Sequence, residues 1–275
     1  MAPWRSFSSS LQFYPVNIWL INLERDHSRL SWMTDQLNAV DAPFERFDAL
    51  TPEAFTEDQR RYATAPGRTQ MRPAEIACLL SHIGVWRGIA TGPTEGALIL
   101  EDDIHLSADF QRFWQSLALD PSEICIHRLE TLLARVTVER TASFRCGSRR
   151  AHKLLSNHGG GAAYILNRAT ARELLMRVDL FQNNVDVELF DPARGAASSI
   201  ATYQWIPALC IQDDFMGIGA KGFASNILER ADIDSGVYTN ARREPFKDAL
   251  RPLYTMAYDL VLAPFGRSRK LVPFR

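Results

Sequence analysis

The residues most suited to chemistry are three adjacent carboxylates, Glu101, Asp102 and Asp103, which we call the acid run. They follow an apolar run at 96–100. An apolar run of this length is typical of a buried β-strand, and open parallel sheets bind their ligands at the carboxyl ends of their strands. Adjacent carboxylates repel one another, and burying them unpaired is costly, so a cation is the simplest partner. All-oxygen ligands favour a hard metal such as Mg²⁺ or Mn²⁺. The alternative interpretation is a solvated acidic turn or the N-terminus of a helix, since Ser107 can open a helix just beyond.

The elements before this run alternate between strands and helices. Residues 16–23 are rich in β-branched and aromatic side chains and predict a strand, and residues 44–49 predict a second one. Between them, Asp26 is a candidate cap for a helix with apolar positions at Leu30, Met33, Leu37 and Val40. Strand, helix and strand at this spacing indicate a right-handed βαβ unit and hence an α/β sheet. A helix from Pro73 to the Gly92-Pro93 break then leads into the strand that ends at Glu101.

After the acid run, the pattern predicts strands at 124–129 and 164–166 and a helix over 168–178. The three glycines at 159–161 precede a strand, and they fit either a loop that approaches a ligand closely or a flexible hairpin. Residues 131–155 match no clear pattern, apart from a possible edge strand at 136–138.

Two acidic segments follow in the second half of the chain. Residues 185–191 alternate acidic and apolar side chains, which puts Asp186 and Glu188 on one face of a strand, whereas a helical turn would bring Asp186 and Phe190 together. Residues 203–211 predict a last strand, and the proline at 207 suggests that this strand lies at an edge.

Composition excludes several classes of protein. The 275 residues include 31 basic and 32 acidic side chains, so no global field attracts nucleic acid. The four cysteines, at 78, 125, 146 and 210, form no C-x-x-C pair, which speaks against a zinc site or a disulfide framework and favours a reducing compartment. Residues 1–12 contain no signal-peptide core, and no apolar run approaches about 18 residues. We expect a cytoplasmic protein, or one held peripherally on the inner face of the cytoplasmic membrane.

The C-terminal segment has a different character from the rest. Residues 241–275 contain eight Lys or Arg against three acids, interleaved with apolar side chains. This pattern is typical of a segment that lies on an anionic membrane surface, and the alternative is that its apolar face packs on the domain. No linker or repeat divides the remainder, so we predict one domain at 13–235 with a basic amphipathic extension at 236–275.

The motifs that are absent narrow the chemistry. The chain contains no G-x-S-x-G, H-E-x-x-H or G-x-G-x-x-G, which removes the common hydrolase, metalloprotease and dinucleotide-binding interpretations. A nucleoside-diphosphate sugar fits what remains, because a divalent cation neutralises the charge that develops on its diphosphate leaving group.

Three blocks of sequence resemble glycosyltransferase family 25, the lipopolysaccharide and lipooligosaccharide sugar transferases. They are residues 21–29 with 44–49, residues 74–86 with 97–103, and residues 160–166 with 185–186. The middle block, Ser-His-x-x-x-Trp followed by Leu-Glu-Asp-Asp, is the most specific. Ala74 and Ala77 stand where the family usually has glycine, and residues 131–155 match no family motif.

The resemblance implies a GT-A-like single domain with a central mixed, mainly parallel sheet flanked by helices. It also implies a UDP-sugar donor, most commonly of galactose, a Mn²⁺ or Mg²⁺ cofactor, and inversion to give a β-linkage on a glycan or lipid-linked oligosaccharide acceptor. Within such a site Glu101 and Asp102 would hold the nucleotide and ribose side, and Asp103 the metal. Further donor-binding residues implied in this way are Leu23, Arg25, Arg29, Ser81 and His82. The alternatives are that the arginines are merely solvated and that His82 is a hydrogen-bonded core histidine.

An inverting transfer also needs a carboxylate base that takes the proton of the acceptor hydroxyl. Asp186 lies in the matching Val-Asp motif and is our predicted base, with Glu188, Asp213 and Asp214 as competitors. Two other functions stay open. One is a non-catalytic protein of the same fold that binds glycans or nucleotide sugars, and the other is a nucleotidyltransferase that uses a nucleoside triphosphate.

Overall fold

A computed structural model describes residues 16–64, 71–117, 120–178, 182–223 and 261–275. The α-helices that begin and end within these ranges are α1 (His27–Asn38), α2 (Glu57–Thr64), α3 (Pro73–Thr91), α4 (Phe110–Ser116), α5 (Arg168–Arg177), α6 (Val185–Phe190) and α7 (Asp213–Met216). The strands in the same ranges are β1 (Val16–Asn22), β2 (Phe44–Asp48), β3 (Gly96–Glu101), β4 (Ile104–Leu106), β5 (Cys125–Arg128), β6 (Glu130–Thr131), β7 (Arg135–Glu139), β8 (Phe144–Cys146), β9 (Arg149–Lys153), β10 (Ala163–Asn167), β11 (Ala201–Ile206), β12 (Cys210–Gln212) and β13 (Arg267–Leu271).

The central sheet has eight strands in the order β2-β1-β3-β10-β5-β11-β9-β8. β1 pairs in parallel with β2 and β3, and β5 pairs in parallel with β11. β10 and β9 are antiparallel to each of their neighbours, so the other six strands run in one direction. The predicted fold class, a mixed and mainly parallel α/β sheet flanked by helices, is therefore confirmed.

This topology brings several strand ends to one edge of the sheet. β1 ends at Asn22, β3 at Glu101 and β5 at Arg128, and all three strands point the same way. Because β10 runs in the opposite direction, it begins at this edge, directly after the glycines at 159–161. The polar residues that follow β1, β3 and β5 therefore lie close to the glycine loop.

Helices cover both faces of the sheet, and the alternation of side chains along the strands divides the core into two clusters. On one face, apolar side chains of β1 and β3 pack with those of α1 and α4. The residues are Ile18, Leu20, Leu98 and Leu100 of the strands, Met33 and Leu37 of α1, and Phe110 and Phe113 of α4. On the other face, Ile99 packs with α3, α5 and α6 through a set of buried residues that includes Ile76, Leu79, Ile83, Trp86, Leu174 and Leu189. Buried alternate positions on both faces are what a central strand requires.

The structure decides between the two interpretations of residues 185–191 and corrects three other local predictions. Residues 185–190 form helix α6, and Asn184 caps it by accepting a hydrogen bond from the Val187 N–H at 3.1 Å. The single strand expected at 203–211 is two strands, since Pro207 ends β11 and the chain enters a second sheet, β4-β12-β6. β11 lies between β5 and β9, not at an edge. Asp26 precedes α1 but makes no side-chain capping bond.

The end of the chain packs against this domain. β13 pairs antiparallel with β7, and the side chain of Val272 is fully buried. The part of the extension at 236–260 lies outside the described residues. Within the described ranges, no helix combines the length and the apolar character needed to cross a bilayer.

Candidate active site

The middle carboxylate of the acid run ties three elements together. Asp102 accepts one hydrogen bond from Asn22 Nδ2 at 2.7 Å and another from Arg29 Nη1 at 2.8 Å. Burial raises the pKa of Asp102, and the Arg29 guanidinium offsets part of this effect. The carboxylates in turn hold the pKa of Arg29 above its usual value, although burial opposes them. Asp102 therefore fixes the end of β1 and the start of α1 to the end of β3.

The neighbouring Asp103 lacks an equivalent partner. Its Oδ2 lies 3.6 Å from Arg29 Nη1, and its buried Oδ1 has no hydrogen-bond partner in the described part of the chain. Burial, followed by the charge of Glu101, raises the pKa of Asp103 to about 8, whereas Arg29 acts to lower it. The charge of Asp214 adds to the increase. This carboxylate is short of positive charge, and a cation would supply it.

The first carboxylate of the run ends a buried chain of hydrogen bonds. Trp86 Nε1 donates to the Tyr164 hydroxyl at 2.7 Å, and that hydroxyl lies 2.8 Å from His82 Nδ1. His82 Nε2 lies 3.1 Å from Glu101 Oε1. Because the tryptophan N–H can only donate and a carboxylate only accepts, a consistent chain has Tyr164 donating to Nδ1 and Nε2–H donating to Glu101. His82, which is fully buried, thus orients Glu101 from within the core.

The glycine loop lies between two further carboxylates. The Gly160 N–H donates to Asp186 Oδ2 at 2.7 Å, and the Ala162 N–H donates to Glu130 Oε2 at 2.9 Å. A Cβ built on Gly160 would lie 2.5 Å from Glu130 Oε1, and its φ of +89° is one that side-chain-bearing residues rarely adopt. The glycines therefore allow the backbone to approach Glu130 and Asp186.

These two carboxylates face the same edge of the sheet as the acid run. Burial raises the pKa of Asp186, and the charge of Glu101 raises it further, whereas the Gly160 N–H, Arg128 and His82 lower it. Burial likewise raises the pKa of Glu130 to about 8, with Arg128 acting against it. The charge of Glu101 raises the pKa of both groups, so the three carboxylates interact electrostatically.

Arg128 is the buried cation on the β5 side of this cluster. Its guanidinium donates to the carbonyls of His158, at 2.7 Å, and Gly159, and it lies 4.4 Å from the centre of the Phe190 ring. Its Nη2 is 3.4 Å from Glu130 Oε2. Arg128 therefore holds the start of the glycine loop and partly neutralises Glu130.

The competitors of Asp186 have different surroundings. Glu188 is fully buried and accepts hydrogen bonds from Asn183 and the Ala196 N–H, which fastens α6 to the next turn. Asp213 accepts from His105 at 2.6 Å and from the N–H groups of residues 221 and 223, which lowers its pKa although burial opposes this. Asp214 is exposed, beside Asp103. Asp186 is thus the half-buried carboxylate at the glycine loop whose pKa is raised.

The other predicted donor residues are spread more widely. Arg25 is exposed, and its charge helps to lower the pKa of Glu53. Leu23 is half-buried at the end of β1. Ser81 is buried, where it accepts from the Leu50 N–H and donates to the Ala77 carbonyl, both at 2.8 Å. The structure thus brings Arg29, His82, the acid run and Asp186 together, and it leaves Arg25 on the surface.

Sequence reasoning missed five residues of this cluster: Asn22, Trp86, Arg128, Glu130 and Tyr164. Three of them, Asn22, Trp86 and Tyr164, belong to the blocks that carry the family resemblance. The available signal was their position, which is near a strand end for Asn22 and Tyr164 and on the inner face of α3 for Trp86. Arg128 and Glu130 had none, because Arg128 lies at the end of an ordinary apolar strand and Glu130 comes just after it.

Metal-free protein is expected to lose stability as the pH rises from about 6.5 to about 8. Asp103 and Glu130 have pKa values of about 8 in the fold, whereas carboxyl groups of an unfolded chain titrate near pH 4. In this window the folded state keeps protons that the unfolded state has released, so the free energy of unfolding falls by up to about 1.4 kcal/mol per pH unit for each group. Below this window, His127 and His158 act in the opposite direction, since burial lowers their pKa values to about 4 and about 3.

Thermal denaturation in the presence of a chelator, at closely spaced pH values, measures this slope. Glu130→Gln removes one of the two titrating groups and should make the slope about half as steep. A melting temperature that is constant or rises between pH 6.5 and 8 would contradict the protonation of these carboxyls.

Gly160→Ala is expected to destabilise the protein and to displace Asp186. The new methyl group would lie 2.5 Å from Glu130 Oε1, and the alanine would have to keep the positive φ of Gly160. Gly147 also has a positive φ, +55°, but no atom lies within 4 Å of a Cβ added there. Gly147→Ala is therefore a matched control for backbone strain alone, which costs about 1–3 kcal/mol. Chemical denaturation should give a larger loss for Gly160→Ala than for the control. Equal losses would show that the contact with Glu130 is unimportant.

The fold is a mixed α/β sheet with a cluster of carboxylates at the carboxyl ends of its strands, which is where open α/β sheets bind their ligands. The chain belongs to glycosyltransferase family 25, described as lipopolysaccharide biosynthesis proteins, since the family model matches residues 16–189. The protein is therefore a glycosyltransferase, as the motifs predicted.

Several bacterial relatives are similar over most of their length. A lacto-N-neotetraose biosynthesis glycosyltransferase LgtE of Neisseria gonorrhoeae is 28% identical over 91% of this chain and 90% of its own. LgtB of Neisseria meningitidis serogroup B, which carries the same description, is 29% identical over 70% of this chain and 74% of its own. The lipooligosaccharide biosynthesis protein lic2B of Haemophilus influenzae is 24% identical over 71% and 75%.

Proposed function

We propose that this glycosyltransferase moves a sugar from a UDP-sugar to a glycan or lipooligosaccharide acceptor, with inversion to a β-linkage and with a divalent cation bound at Asp103. The observation that carries the proposal is the buried, unpartnered Oδ1 of Asp103, whose carboxyl has its pKa raised to about 8 at the carboxyl end of β3. The names of the relatives, which concern lacto-N-neotetraose and lipooligosaccharide biosynthesis, support a saccharide acceptor.

The donor set at this edge fits a hard cation. Asp103 offers a carboxylate oxygen without a partner, and the nearby Asp214 is exposed and adds a second carboxylate. Oxygen ligands of this kind suit Mn²⁺ or Mg²⁺, which keep coordination positions for phosphate oxygens. When bound, the ion would neutralise the charge that develops on the leaving diphosphate. Asp102, held by Asn22 and Arg29, would keep the turn that carries Asp103 in place.

The chemistry assigned to the protein's own groups is the removal of one proton. In the proposed step, Asp186 takes the proton of the acceptor hydroxyl while that oxygen forms a bond to the anomeric carbon. The bond from the anomeric carbon to the diphosphate oxygen breaks, and UDP leaves with the electron pair. The raised pKa of Asp186 suits this role, because a base is most effective when its pKa lies near the working pH.

A thermal-shift panel tests the donor class. UDP-galactose is the first sugar to try, followed by other UDP-sugars and by nucleoside triphosphates, each with and without Mn²⁺. A ligand present at 100 times its Kd stabilises the folded state by about 2.7 kcal/mol, so a UDP-sugar should raise the melting temperature only when Mn²⁺ is present. Stabilisation by triphosphates but not by UDP-sugars would favour a nucleotidyltransferase. Mn²⁺-dependent hydrolysis of the UDP-sugar without an acceptor would separate an enzyme from a mere binder.

We also propose that the basic extension contacts an anionic membrane surface, where a lipid-linked acceptor would lie. In its described part, Val261 and Phe265 are exposed by 65% and 73%, next to the exposed Arg267 and Arg269 of β13. Co-sedimentation with vesicles that contain anionic lipid, but not with neutral vesicles, is the expected result. Equal recovery with both kinds of vesicle would contradict it.

A further inference from the structure

A second group of potential metal ligands lies next to the acid run, and it has a different chemical character. Cys78 and His82 are one turn apart on α3, and their side chains converge on Glu101 at the end of β3. The Cys78 sulfur lies 3.8 Å from Glu101 Oε1, and His82 Nε2 lies 3.1 Å from the same oxygen. One sulfur, one nitrogen and one oxygen are thus within 4.8 Å of one another.

These separations are close to those around a tetrahedral zinc ion. Bond lengths of about 2.0–2.3 Å to nitrogen, oxygen and sulfur place neighbouring ligand atoms about 3.3–3.6 Å apart. Only small movements of Cys78, His82 and Glu101 would be needed to enclose an ion. We propose that these three residues form a binding site for Zn²⁺, separate from the hard-cation position at Asp103, with the fourth ligand position left to water.

The surroundings of these residues suit an ion. A zinc ligand histidine normally donates its other ring N–H to an oxygen atom, which fixes the ring. Here His82 Nδ1 lies 2.8 Å from the Tyr164 hydroxyl, and the Trp86 N–H holds that hydroxyl in place. On binding, the proton of His82 moves from Nε2 to Nδ1, and Tyr164 changes from donor to acceptor at this bond.

The charge balance also favours binding. Cys78 must lose its thiol proton, which passes to solvent, so one proton is released for each ion bound. The thiolate and the Glu101 carboxylate then neutralise the two charges of Zn²⁺. Glu101 is 21% exposed at its side chain and Cys78 is half-buried, which leaves a path for the ion.

The ligand types predict which metals bind where. Sulfur and nitrogen ligands bind Zn²⁺ and Co²⁺ far better than Mn²⁺ or Mg²⁺, whereas carboxylates alone suit the harder ions. The two metal positions share the short segment 101–103. Zn²⁺ bound by Cys78, His82 and Glu101 would prevent Glu101 from contacting the nucleotide of the donor. We therefore expect Zn²⁺ to weaken UDP binding, a consequence that rests on the proposed function, whereas the metal site itself does not.

Cobalt titration of metal-free protein tests the site directly. One equivalent of Co²⁺ should produce the intense near-ultraviolet band of a cobalt–thiolate bond, and Zn²⁺ should displace it. Cys78→Ser should remove the band and weaken Zn²⁺ binding by more than about 100-fold, beyond the 10- to 100-fold cost of losing an outer partner. Cys146→Ser is the matched control, because Cys146 is also half-buried and lies near Arg149 and Asp109 instead.

The same titration separates the two metal positions. Asp103→Ala should keep the cobalt band, since Asp103 is not a ligand of this site. The absence of a band in the wild-type protein, or a band that survives Cys78→Ser, would overturn the proposal. If UDP fails to bind under any condition while the cobalt band behaves as expected, the zinc site stands and the proposed donor does not.

Discussion

Asp103→Ala is expected to abolish the part of UDP affinity that depends on Mn²⁺. In the proposed site this carboxylate is the main protein ligand of the cation, and Arg29, which pairs with Asp102 at 2.8 Å, approaches Asp103 only to 3.6 Å. Removing the carboxylate leaves the diphosphate without its counter-ion. Calorimetric titration of UDP, with Mn²⁺ and then with a chelator, measures the difference between the two affinities. A variant that retains the full Mn²⁺ effect would contradict the assignment.

A stability measurement on the metal-free protein accompanies this test. Because Asp103 Oδ1 is buried and has no hydrogen-bond partner in the described ranges, Asp103→Asn should raise the melting temperature above pH 8, where the wild-type carboxylate is charged. Asp109 is the contrasting control, since Arg149 and Ser107 lower its pKa although burial opposes this, and Asp109→Asn should lower the melting temperature. A function-related carboxylate is thus distinguished from a structural one by the opposite sign of the change.

The fold could be predicted from the sequence wherever one periodicity was clear. The apolar run before Glu101 indicated a buried strand, and the apolar face from Ile76 to Ile89, with Pro73 before it and Gly92 after it, indicated the helix α3. The sequence left two interpretations open at 185–190, because alternation over six residues fits a strand as well as one and a half turns of helix. There the Asn184 cap decided between them. At 203–211, the sequence did not show that Pro207 ends one strand and starts the path to another sheet.

The candidate site was only partly visible for a different reason. The acid run and Asp186 could be named because carboxylates at strand ends and in family motifs are conspicuous in one dimension. Glu130 becomes part of the cluster only because β10 runs antiparallel between β3 and β5 and brings the glycine loop against it. The cysteine at 78 was discounted as a zinc ligand because no second cysteine is near it in sequence. Its partners, His82 and Glu101, converge on it in space.

Asp186→Asn should lower turnover on the order of 10²-fold or more while leaving UDP binding almost unchanged. The asparagine can keep the hydrogen bond from the Gly160 N–H, which is 2.7 Å long in the wild-type protein, so the loop keeps its position. What the variant loses is the ability to accept a proton. The rate measured at saturating donor and acceptor gives the loss in kcat, and a UDP titration gives the donor affinity separately.

Glu188→Gln is the matched control, because Glu188 lies on the same helix but is fully buried. Its carboxylate accepts hydrogen bonds from the Asn183 side chain and the Ala196 N–H. Its replacement should lower the melting temperature and leave kcat close to the wild-type value. A base and a structural carboxylate are therefore separated by which quantity changes, kcat in one variant and stability in the other. The wild-type kcat should also fall at low pH, as Asp186 becomes protonated, and burial, which raises the pKa of Asp186, moves this fall to higher pH. Unimpaired turnover in Asp186→Asn would remove Asp186 from the role and leave the exposed Asp214 as the next carboxylate to test.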